Sequence, residues 1–538
     1  MTDQPATPEA ASAGGAKSAP ADQIVKTKHT VTIGGRRISY TVTTGTLILK
    51  EESEKKGDKA GESEGAVARA EVFFVAYTLA GAGDPARRPV TFSFNGGPGS
   101  SSVWLHLGVL GPRRVDMGED GGLPAPPYRL TENEHSLLDV SDLVFIDPVS
   151  TGYSRPVTGE RAKDFHTFKR DIESVGDFIR LYTTRYRRWL SPKFLIGESY
   201  GTTRAAGLSG YLQERHGMYL NGLMLVSSVL EFQTLHFEPN NDLPCVLYIP
   251  AYAATAWYHG RLSRELQRDR KKTLEQARSF ALDRYAPALL QGANLPARER
   301  AAIAGELARF TGLSAAFVER CNLRIEINRF TKELLRDQSR TVGRLDSRFT
   351  GIDRDAAGST PDGDPSFTNI IGPYTAAFYD YVRGDLKYES DLPYEILSFK
   401  TNESWRYDDH ENRFVDVAET LRKAMTMNPH LKVFVANGYY DLATPFFATE
   451  YTFSRLGLDA GLRGNISMAY YDGGHMMYIH RPSLAQMKKD LAAFVRGAAG
   501  APRSGAPAKG RAGGARSGAR AVASGGARRR AAGRAKRK

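Results

Sequence analysis

Short apolar runs, each bounded by turn residues, recur along this chain and are typical of strands buried on both faces of a mostly parallel sheet. These runs lie at residues 90–94, 143–146, 194–196, 223–226, 433–436 and 466–471. Before them, residues 29–49 alternate between apolar and polar side chains around Gly34 and Gly35, which predicts a hairpin. Residues 71–79 resume a strand pattern, and the charged segment 51–65 predicts a loop. We therefore predict an α/β fold with a mostly parallel central sheet flanked by helices.

The spacing of the strands changes in the middle of the chain. Residues 164–189 carry one apolar stripe, which predicts a helix that flanks the sheet. After Val226 the next strong apolar run begins only at Val433, and residues 252–337 between them predict several helices. An insertion at this place would cover the carboxyl ends of the strands, where open α/β sheets bind ligands. The predicted segments are a disordered segment at 1–28, a first part of the core at 29–229, a mainly helical cap insertion at 230–428, a second part of the core at 429–496, and a disordered basic tail at 497–538.

The positive charge of the chain is concentrated at its C-terminal end. Twelve Lys and Arg residues and no Asp or Glu lie in residues 497–538, so the net charge of +13 leaves about +1 for everything before them. Basic runs at 528–530 and 536–538 could contact nucleic acid or another polyanion through counterion release. No aromatic residue is present there for base stacking, so such contact would not depend on base sequence. A solvated extension without function is the more ordinary interpretation of such a segment.

Composition limits the other classes of function. At 538 residues and 41% hydrophobic content, the chain can bury a large core. No stretch reaches the roughly 18–20 apolar residues of a membrane span, and residues 1–28 lack the apolar region of a secretory signal. The two cysteines, Cys245 and Cys321, fit a reducing compartment, so we predict a cytoplasmic location. Metal-ligand spacing is missing, so we predict no metal and no other cofactor, and the oligomeric state stays open.

Three residues far apart in the chain each follow a predicted strand and together supply the parts of a hydrolytic site. Ser199 lies in the motif Gly-Glu-Ser-Tyr-Gly (197–201), Asp441 follows the fifth apolar run, and His475 follows the sixth. A serine hydroxyl is a poor nucleophile unless a base lies beside it and a third group orients that base. The order Ser, Asp, His along the chain is the one used by α/β-hydrolases. We therefore predict Ser199 as nucleophile, His475 as general base and Asp441 as the residue that orients His475.

Two rivals for these roles are present in the same sequence. Ser63 also lies in a G-x-S-x-G pattern (61–65), but no strand pattern precedes it and no amphipathic helix pattern follows it. Asp472 precedes His475 on the same predicted loop, where a solvated turn residue is the more ordinary role. Structural roles without chemistry remain the alternatives for Ser199, Asp441 and His475: a tight-turn serine, a turn aspartate and a packed loop histidine.

A glycine-rich turn follows the first apolar run, with the sequence Asn-Gly-Gly-Pro-Gly at 95–99. Such a turn can direct backbone N–H groups toward the oxyanion that develops during acyl transfer. The backbone amide of Tyr200, the residue after the predicted nucleophile, would supply the second donor. A phosphate-binding loop is disfavoured because no G-K-[ST] ending follows the glycines.

Several ordered motifs together resemble the serine carboxypeptidases, an α/β-hydrolase family that removes C-terminal residues from peptides. The matching segments are 95–102, 111–112, 147–154, 197–201, 438–441 and 474–476. The resemblance implies an α/β-hydrolase fold with an inserted cap and a peptide substrate. It also implies that the amides of Gly97 and Tyr200 form the oxyanion hole, and that Asn95 and Glu198 bind the terminal carboxylate of the substrate. A glutamic acid can donate a hydrogen bond to a carboxylate only while it is protonated.

Two positions depart from the family pattern. Ser100 stands where the family usually has a disulfide-bonded cysteine, and Val109 stands where it usually has a second acidic residue paired with Glu198. We predict a serine-type carboxypeptidase that forms an acyl-enzyme on Ser199. Because of Val109, an esterase, amidase or acyltransferase with the same triad is the first alternative. A polyanion-binding protein that acts through its basic tail, with the hydrolase body as a scaffold, is the alternative from another class.

Overall fold

The computed structural model describes residues 20–54 and 60–500. Its strands are β1 (Gln23–Ile33), β2 (Arg36–Glu54), β3 (Ser63–Leu79), β4 (Val90–Phe94), β5 (Arg113–Val115), β6 (Leu130–Glu132), β7 (Asp142–Ile146), β8 (Arg155–Pro156), β9 (Lys193–Ser199), β10 (Gly222–Ser228), β11 (Arg340–Val342), β12 (Thr350–Ile352), β13 (Lys432–Gly438) and β14 (Ile466–Tyr471). All six apolar runs of the sequence coincide with strands, namely β4, β7, β9, β10, β13 and β14.

Ten of the strands within the described residues form one central sheet. The strand order is β1-β2-β3-β7-β4-β9-β10-β13-β14, and the short β8 pairs with β3. Every pairing from β7 to β14 is parallel, whereas β1, β2, β3 and β7 pair in antiparallel fashion. The prediction of a mostly parallel sheet is confirmed. The carboxyl ends of β4, β9, β10, β13 and β14 therefore lie along one edge of the sheet.

The N-terminal ribbon extends further in both directions than the sequence predicts. The predicted hairpin is present, but β1 begins at Gln23, inside the segment 1–28 that we expected to be disordered. Similarly, β2 reaches Glu54 and β3 begins at Ser63, so both strands enter the predicted loop 51–65. Most of these added residues are exposed or only half-buried, so backbone pairing rather than an apolar pattern holds them in the ladder. Predictions for residues 1–19 and 501–538 lie outside the described residues.

Helices cover both faces of the sheet and fill most of the chain between β10 and β13. They are α1 (Val103–Leu105), α2 (Phe168–Arg185), α3 (Tyr200–His216), α4 (Leu243–Leu247), α5 (Ile249–Tyr258), α6 (Arg264–Gln267), α7 (Arg270–Phe280), α8 (Ala286–Gln291), α9 (Ala297–Thr311), α10 (Ala315–Arg320), α11 (Ile327–Glu333), α12 (Pro365–Gly384), α13 (Phe399–Glu403), α14 (Ala418–Met427), α15 (Phe446–Ser454) and α16 (Arg481–Ala498). The predicted flanking helix is α2, whose start is capped by the Thr167 hydroxyl, which accepts a hydrogen bond from the amide of Arg170. Because α16 ends at Ala498, the helix extends two residues into the predicted tail.

Alternate residues of the central strands supply two separate apolar cores. Phe194 and Ile196 of β9 face one core, and Leu195 between them faces the other. In β10 the residues Leu223 and Leu225 lie in the second core. This alternation follows from the two-residue period of a strand. Each fully buried apolar side chain stabilises the fold by about 1.5–3 kcal/mol. The strands that carry the candidate site are therefore stabilised by apolar packing on both faces.

The segment between β10 and β13 has two parts. Helices α4 to α11 share a third apolar cluster, in which Tyr252 and Phe330 stack with ring centroids 3.9 Å apart. By contrast, Tyr374 of α12 and Leu421 of α14 lie in the two cores that cover the sheet. The first part therefore clusters as a helical cap together with residues of α15 such as Phe446, whereas the later helices of the segment 230–428 complete the layers around the sheet. No helix within the described residues is long and apolar enough to cross a bilayer.

Candidate active site

Ser199 lies at the junction of β9 and α3 in a strained backbone conformation. Its φ and ψ are +59° and −131°, a combination that costs a non-glycine residue about 1–3 kcal/mol. The turn is so tight that a Cβ at Gly197 would lie 2.1 Å from the carbonyl oxygen of Gly201. This geometry explains the glycines on either side of the serine and is that of a nucleophile elbow. By contrast, Ser63 lies at the exposed start of β3, outside the cavity that Ser199 lines.

Asp441 and His475 follow β13 and β14 and are joined by a hydrogen bond. The distance between Nδ1 of His475 and Oδ2 of Asp441 is 2.8 Å. The other oxygen of Asp441 accepts the backbone amides of Ala443 and Thr444 at 2.8 and 2.9 Å, which fixes the orientation of the carboxyl group. The Thr444 hydroxyl donates to Oδ2 at 2.7 Å. The rival Asp472 pairs with Arg270 at 2.5 Å instead.

The pairing with Asp441 also sets the basicity of His475. Burial lowers the pKa of His475, but the charge of Asp441 and the hydrogen bond to it outweigh burial, and the pKa is raised above the usual 6.5. With Nδ1 donating to Asp441, Nε2 is the nitrogen that can take a proton. His475 and Ser199 both line one cavity of about 820 Å³. The structure therefore brings the three predicted triad residues to one site.

A short segment of the insertion holds both catalytic loops; we call residues 344–347 the strap. Its carbonyl at Arg344 accepts the amide of Leu442 at 3.1 Å, and its amide at Ser347 donates to the carbonyl of Tyr440 at 3.0 Å. The carbonyl of Leu345 accepts the amide of His475 at 2.6 Å. The strap therefore bonds to the loop of Asp441 and to the loop of His475. No sequence pattern indicated this role, because the strap lies in a segment without periodicity.

Asp346 completes the strap through a buried ion pair. Its Oδ2 accepts the amide of Gly474 at 2.9 Å, and it pairs with Arg348 at 2.7 Å, with the two side chains only 4% and 6% exposed. We expect Asp346→Ala to lower the free energy of unfolding by about 3–5 kcal/mol, because it leaves Arg348 and the amide without partners. Denaturant unfolding measures this change. The matched control is Asp362→Ala, which removes an exposed pair with Arg354 and should cost about 0–1 kcal/mol. Equal losses in the two variants would contradict the assigned role of the strap.

The glycine turn after β4 lies against the start of α3. A Cβ at Gly96 would lie 2.5 Å from the backbone nitrogen of Tyr200, so only glycine permits this approach. Gly97 follows with φ of +100°, in a region that favours glycine. Gly97 and Tyr200 line the same cavity as Ser199. The turn is therefore adjacent to the amide of Tyr200, which the sequence predicts as the second oxyanion donor.

Glu198 and Asn95 are bonded to each other in the wall of this cavity. Asn95 donates from Nδ2 to Oε1 of Glu198 at 3.1 Å, and its own Oδ1 accepts the amide of Leu105 at 3.1 Å. Burial is the main cause that raises the pKa of Glu198 to about 7, against the opposing influence of His475. No sequence motif indicates Tyr478, whose hydroxyl donates to Oε2 of Glu198 at 2.5 Å. Its position three residues after His475 was the only signal for it.

The two positions that depart from the family pattern have structural roles. Val109 is fully buried in the first apolar core. It is not among the described residues that line the cavity. Ser100 lines the cavity, and its hydroxyl accepts a hydrogen bond from Nε1 of Trp104 at 2.8 Å. Cys245 and Cys321 are both buried and free. Among the described residues, no three His, Cys, Asp or Glu side chains are grouped to hold a metal ion.

Comparison with known proteins assigns the chain to a family. The family model Peptidase_S10, serine carboxypeptidase, matches residues 64–475, which include Ser199, Asp441 and His475. The chain belongs to the serine carboxypeptidase family. Among curated members, pheromone-processing carboxypeptidase KEX1 of Saccharomyces cerevisiae is 35% identical over 137 residues, which are 24% of this chain and 18% of KEX1. Carboxypeptidase Y homolog A of Paracoccidioides brasiliensis is 33% identical over 119 residues, which are 22% of this chain and 19% of the relative.

The chain thus matches only about a fifth of the length of these two relatives. A longer and weaker match is serine carboxypeptidase-like 27 of Arabidopsis thaliana, 23% identical over 75% of this chain and 80% of the plant protein. The crystal structure of Kex1(Δ)p, a prohormone-processing carboxypeptidase from Saccharomyces cerevisiae, superposes with a TM-score of 0.52 at 14% identity. That superposition covers 85% of this chain and 91% of the yeast chain. The predicted α/β-hydrolase fold of the serine carboxypeptidase family is confirmed.

Proposed function

We propose that the protein is a serine-type carboxypeptidase, which hydrolyses C-terminal peptide bonds through an acyl-enzyme on Ser199. One observation carries this proposal beyond family membership. Glu198, a buried carboxyl group bonded to the amide of Asn95, lines the same cavity as Ser199 and His475. A protonated carboxyl and an amide can both donate hydrogen bonds to a carboxylate, which is the group that distinguishes the end of a peptide from its interior.

In the proposed reaction, the hydroxyl of Ser199 attacks the scissile carbonyl carbon while Nε2 of His475 takes its proton. Asp441 stabilises the imidazolium that forms. The backbone N–H groups of Gly97 and Tyr200 donate to the oxyanion, and loss of one such donor costs about 2.7–4 kcal/mol of transition-state stabilisation. His475 then gives its proton to the leaving amine, which departs with the C-terminal amino acid. Water attacks the acyl-enzyme in the same way and releases the shortened peptide and Ser199.

The pH dependence should separate recognition of the carboxylate from the chemistry. Glu198 must be protonated to donate, and its pKa of about 7 means that it ionises as the pH rises through neutrality. Two anions would then face each other, so kcat/KM for a substrate with a free C-terminus should fall above about pH 7. His475 must be neutral to act as base, so kcat/KM for every substrate should fall as the pH drops through its raised pKa.

The test uses one acyl dipeptide with a free C-terminal carboxylate and the same dipeptide as its C-terminal amide. We expect kcat/KM to be about tenfold to a hundredfold higher for the free acid at pH 6, and the alkaline fall to be confined to it. Glu198→Gln keeps a neutral donor at every pH, so it should abolish that alkaline fall. Rates measured from pH 5 to 9 decide the matter. Equal kcat/KM for acid and amide in the unmodified protein would contradict the carboxypeptidase proposal.

Val109 favours one second candidate, an esterase, amidase or acyltransferase that uses the same triad. The buried valine supplies no second carboxyl group beside Glu198. Equal rates in the test above would support this candidate. The proposed contact of the basic tail with polyanions and the cytoplasmic location stay predictions, since the tail from residue 501 onward lies outside the described residues.

A further inference from the structure

Tyr478 is a buried residue that touches the proposed carboxylate site. It follows His475 by three residues, in the short helical turn Met477–Ile479. Its hydroxyl donates to Oε2 of Glu198 at 2.5 Å, and the side chains of Tyr478 and Glu198 are 1% and 3% exposed. Oε1 of Glu198 receives the amide of Asn95. Each oxygen of Glu198 therefore has one donor from the protein.

We propose that Tyr478 is the positioning residue that directs the proton of Glu198 toward the substrate carboxylate. This inference rests on the proposed carboxypeptidase function. It assigns to Tyr478 the role of setting the direction in which the O–H bond of Glu198 points. Tyr478 does not itself touch the substrate. It acts through Glu198.

The donors around Glu198 limit where its proton can point. Nδ2 of Asn95 can only donate, so Oε1 must accept and cannot direct a proton at Asn95. Asn95 cannot flip without losing the bond from the amide of Leu105 to its Oδ1. Either oxygen can carry the proton of a neutral Glu198, but that proton cannot point at Asn95. While the hydroxyl of Tyr478 donates to Oε2, the proton cannot point at Tyr478 either, so the O–H bond of Glu198 is left to point into the cavity that Glu198 lines.

The ring of Tyr478 packs closely against Gly108. A Cβ at Gly108 would lie 2.3 Å from Cε2 of Tyr478, so glycine at 108 makes the space that the ring fills. Next to it, Val109 is buried among apolar side chains, at the position where the family pattern has an acid. The hydroxyl of Tyr478 is the donor to Oε2 of Glu198, and position 109 supplies no carboxyl group. Burial raises the pKa of Tyr478 well above its usual value, so it stays a neutral donor.

Several other groups influence the pKa of Glu198. His475 lowers its pKa when charged, and Asp441 raises it. Tyr374 of α12 lies close to both Glu198 and Tyr478, and burial keeps it neutral. Loss of the Tyr478 hydroxyl removes a hydrogen bond that favours the anion of Glu198. The pKa of Glu198 should therefore rise in Tyr478→Phe.

The experiment compares Tyr478→Phe with the unmodified protein on the acyl dipeptide with a free C-terminus and on its C-terminal amide. For the free acid we expect KM to rise about tenfold with kcat changed less than about threefold, and the alkaline fall to move to higher pH. For the amide we expect kcat/KM to stay within about twofold. The matched control is Tyr471→Phe, which removes a similar bond, from the hydroxyl to Asp490 at 2.7 Å, outside the cavity. The Tyr471→Phe variant should leave kcat and KM unchanged for both substrates.

A double-mutant cycle keeps the test sharp. In the Glu198→Gln background the effect of Tyr478→Phe on the alkaline fall should vanish, because no group remains there to titrate. Equal losses for acid and amide in Tyr478→Phe, with an unmoved alkaline fall, would show a merely structural role and overturn the inference. If the unmodified protein prefers the free acid and Tyr478→Phe keeps that preference unchanged, the inference alone fails. If the unmodified protein shows no preference, the proposed function itself fails.

Discussion

Replacement of Ser199 by alanine is expected to lower kcat for peptide hydrolysis about a millionfold, because the other residues of a triad contribute little once the nucleophile is gone. Ser199 lines the cavity at a strained turn, and strain of this kind is common at active sites. His475→Ala should cost a similar factor. The double variant should be no slower than either single variant, since the two residues act as one unit. Single-turnover kinetics measure the three rates.

Ser63→Ala is the matched control, because Ser63 lies in the same G-E-S-x-G pattern. Its hydroxyl accepts the amide of Gly65 in an exposed stretch at the start of β3. The Ser63→Ala variant should keep the full kcat and the full KM. Circular dichroism and thermal unfolding of Ser199→Ala establish that the fold is intact. Residual activity in Ser199→Ala within a hundredfold of the unmodified protein would contradict its assignment as nucleophile.

Asp441→Asn is expected to lower kcat about ten-thousandfold with little change in fold. The asparagine keeps one oxygen that can accept the amides of Ala443 and Thr444. Its NH2 group can then donate to Nδ1 of His475, which places the imidazole proton on Nε2. A histidine in that tautomer cannot take the proton of Ser199. The loss should appear in kcat rather than in KM.

Asp472→Asn is the control for this second prediction. Asp472 lies on the loop of His475 but pairs with Arg270 of α7, and its side chain is 56% exposed. We expect kcat to change less than about twofold in this variant, because an exposed ion pair contributes little. A larger loss of kcat in Asp472→Asn than in Asp441→Asn would assign the orienting role to the rival carboxylate.

The sheet and the meeting of the triad could be predicted because both depend on local signals. Each apolar run became a strand, and parallel strands end at the same edge of a sheet. Ser199, Asp441 and His475 each follow such a strand, so their proximity follows from topology. The roles of these residues, and those of Gly97, Tyr200, Asn95 and Glu198, remain predictions that the experiments above test.

The parts that sequence could not supply depend on contacts between distant segments. The strand β1 has only two fully buried apolar residues, Val31 and Ile33, and its backbone pairing leaves little apolar signal. The strap bonds to loops about a hundred residues or more further along the chain, through backbone groups that every residue carries. The bond from Tyr478 to Glu198 joins residues 280 positions apart, so only the folded chain reveals it.

We expect folding to make Ser199 the nucleophile of this site. The most direct test is covalent labelling of the full chain with a fluorophosphonate, followed by mass spectrometry of the proteolytic peptides. We expect one adduct per chain, on the peptide that contains Ser199, with the Ser63 peptide unlabelled and no adduct in Ser199→Ala. An adduct on another residue, or no adduct on the active protein, would contradict this assignment.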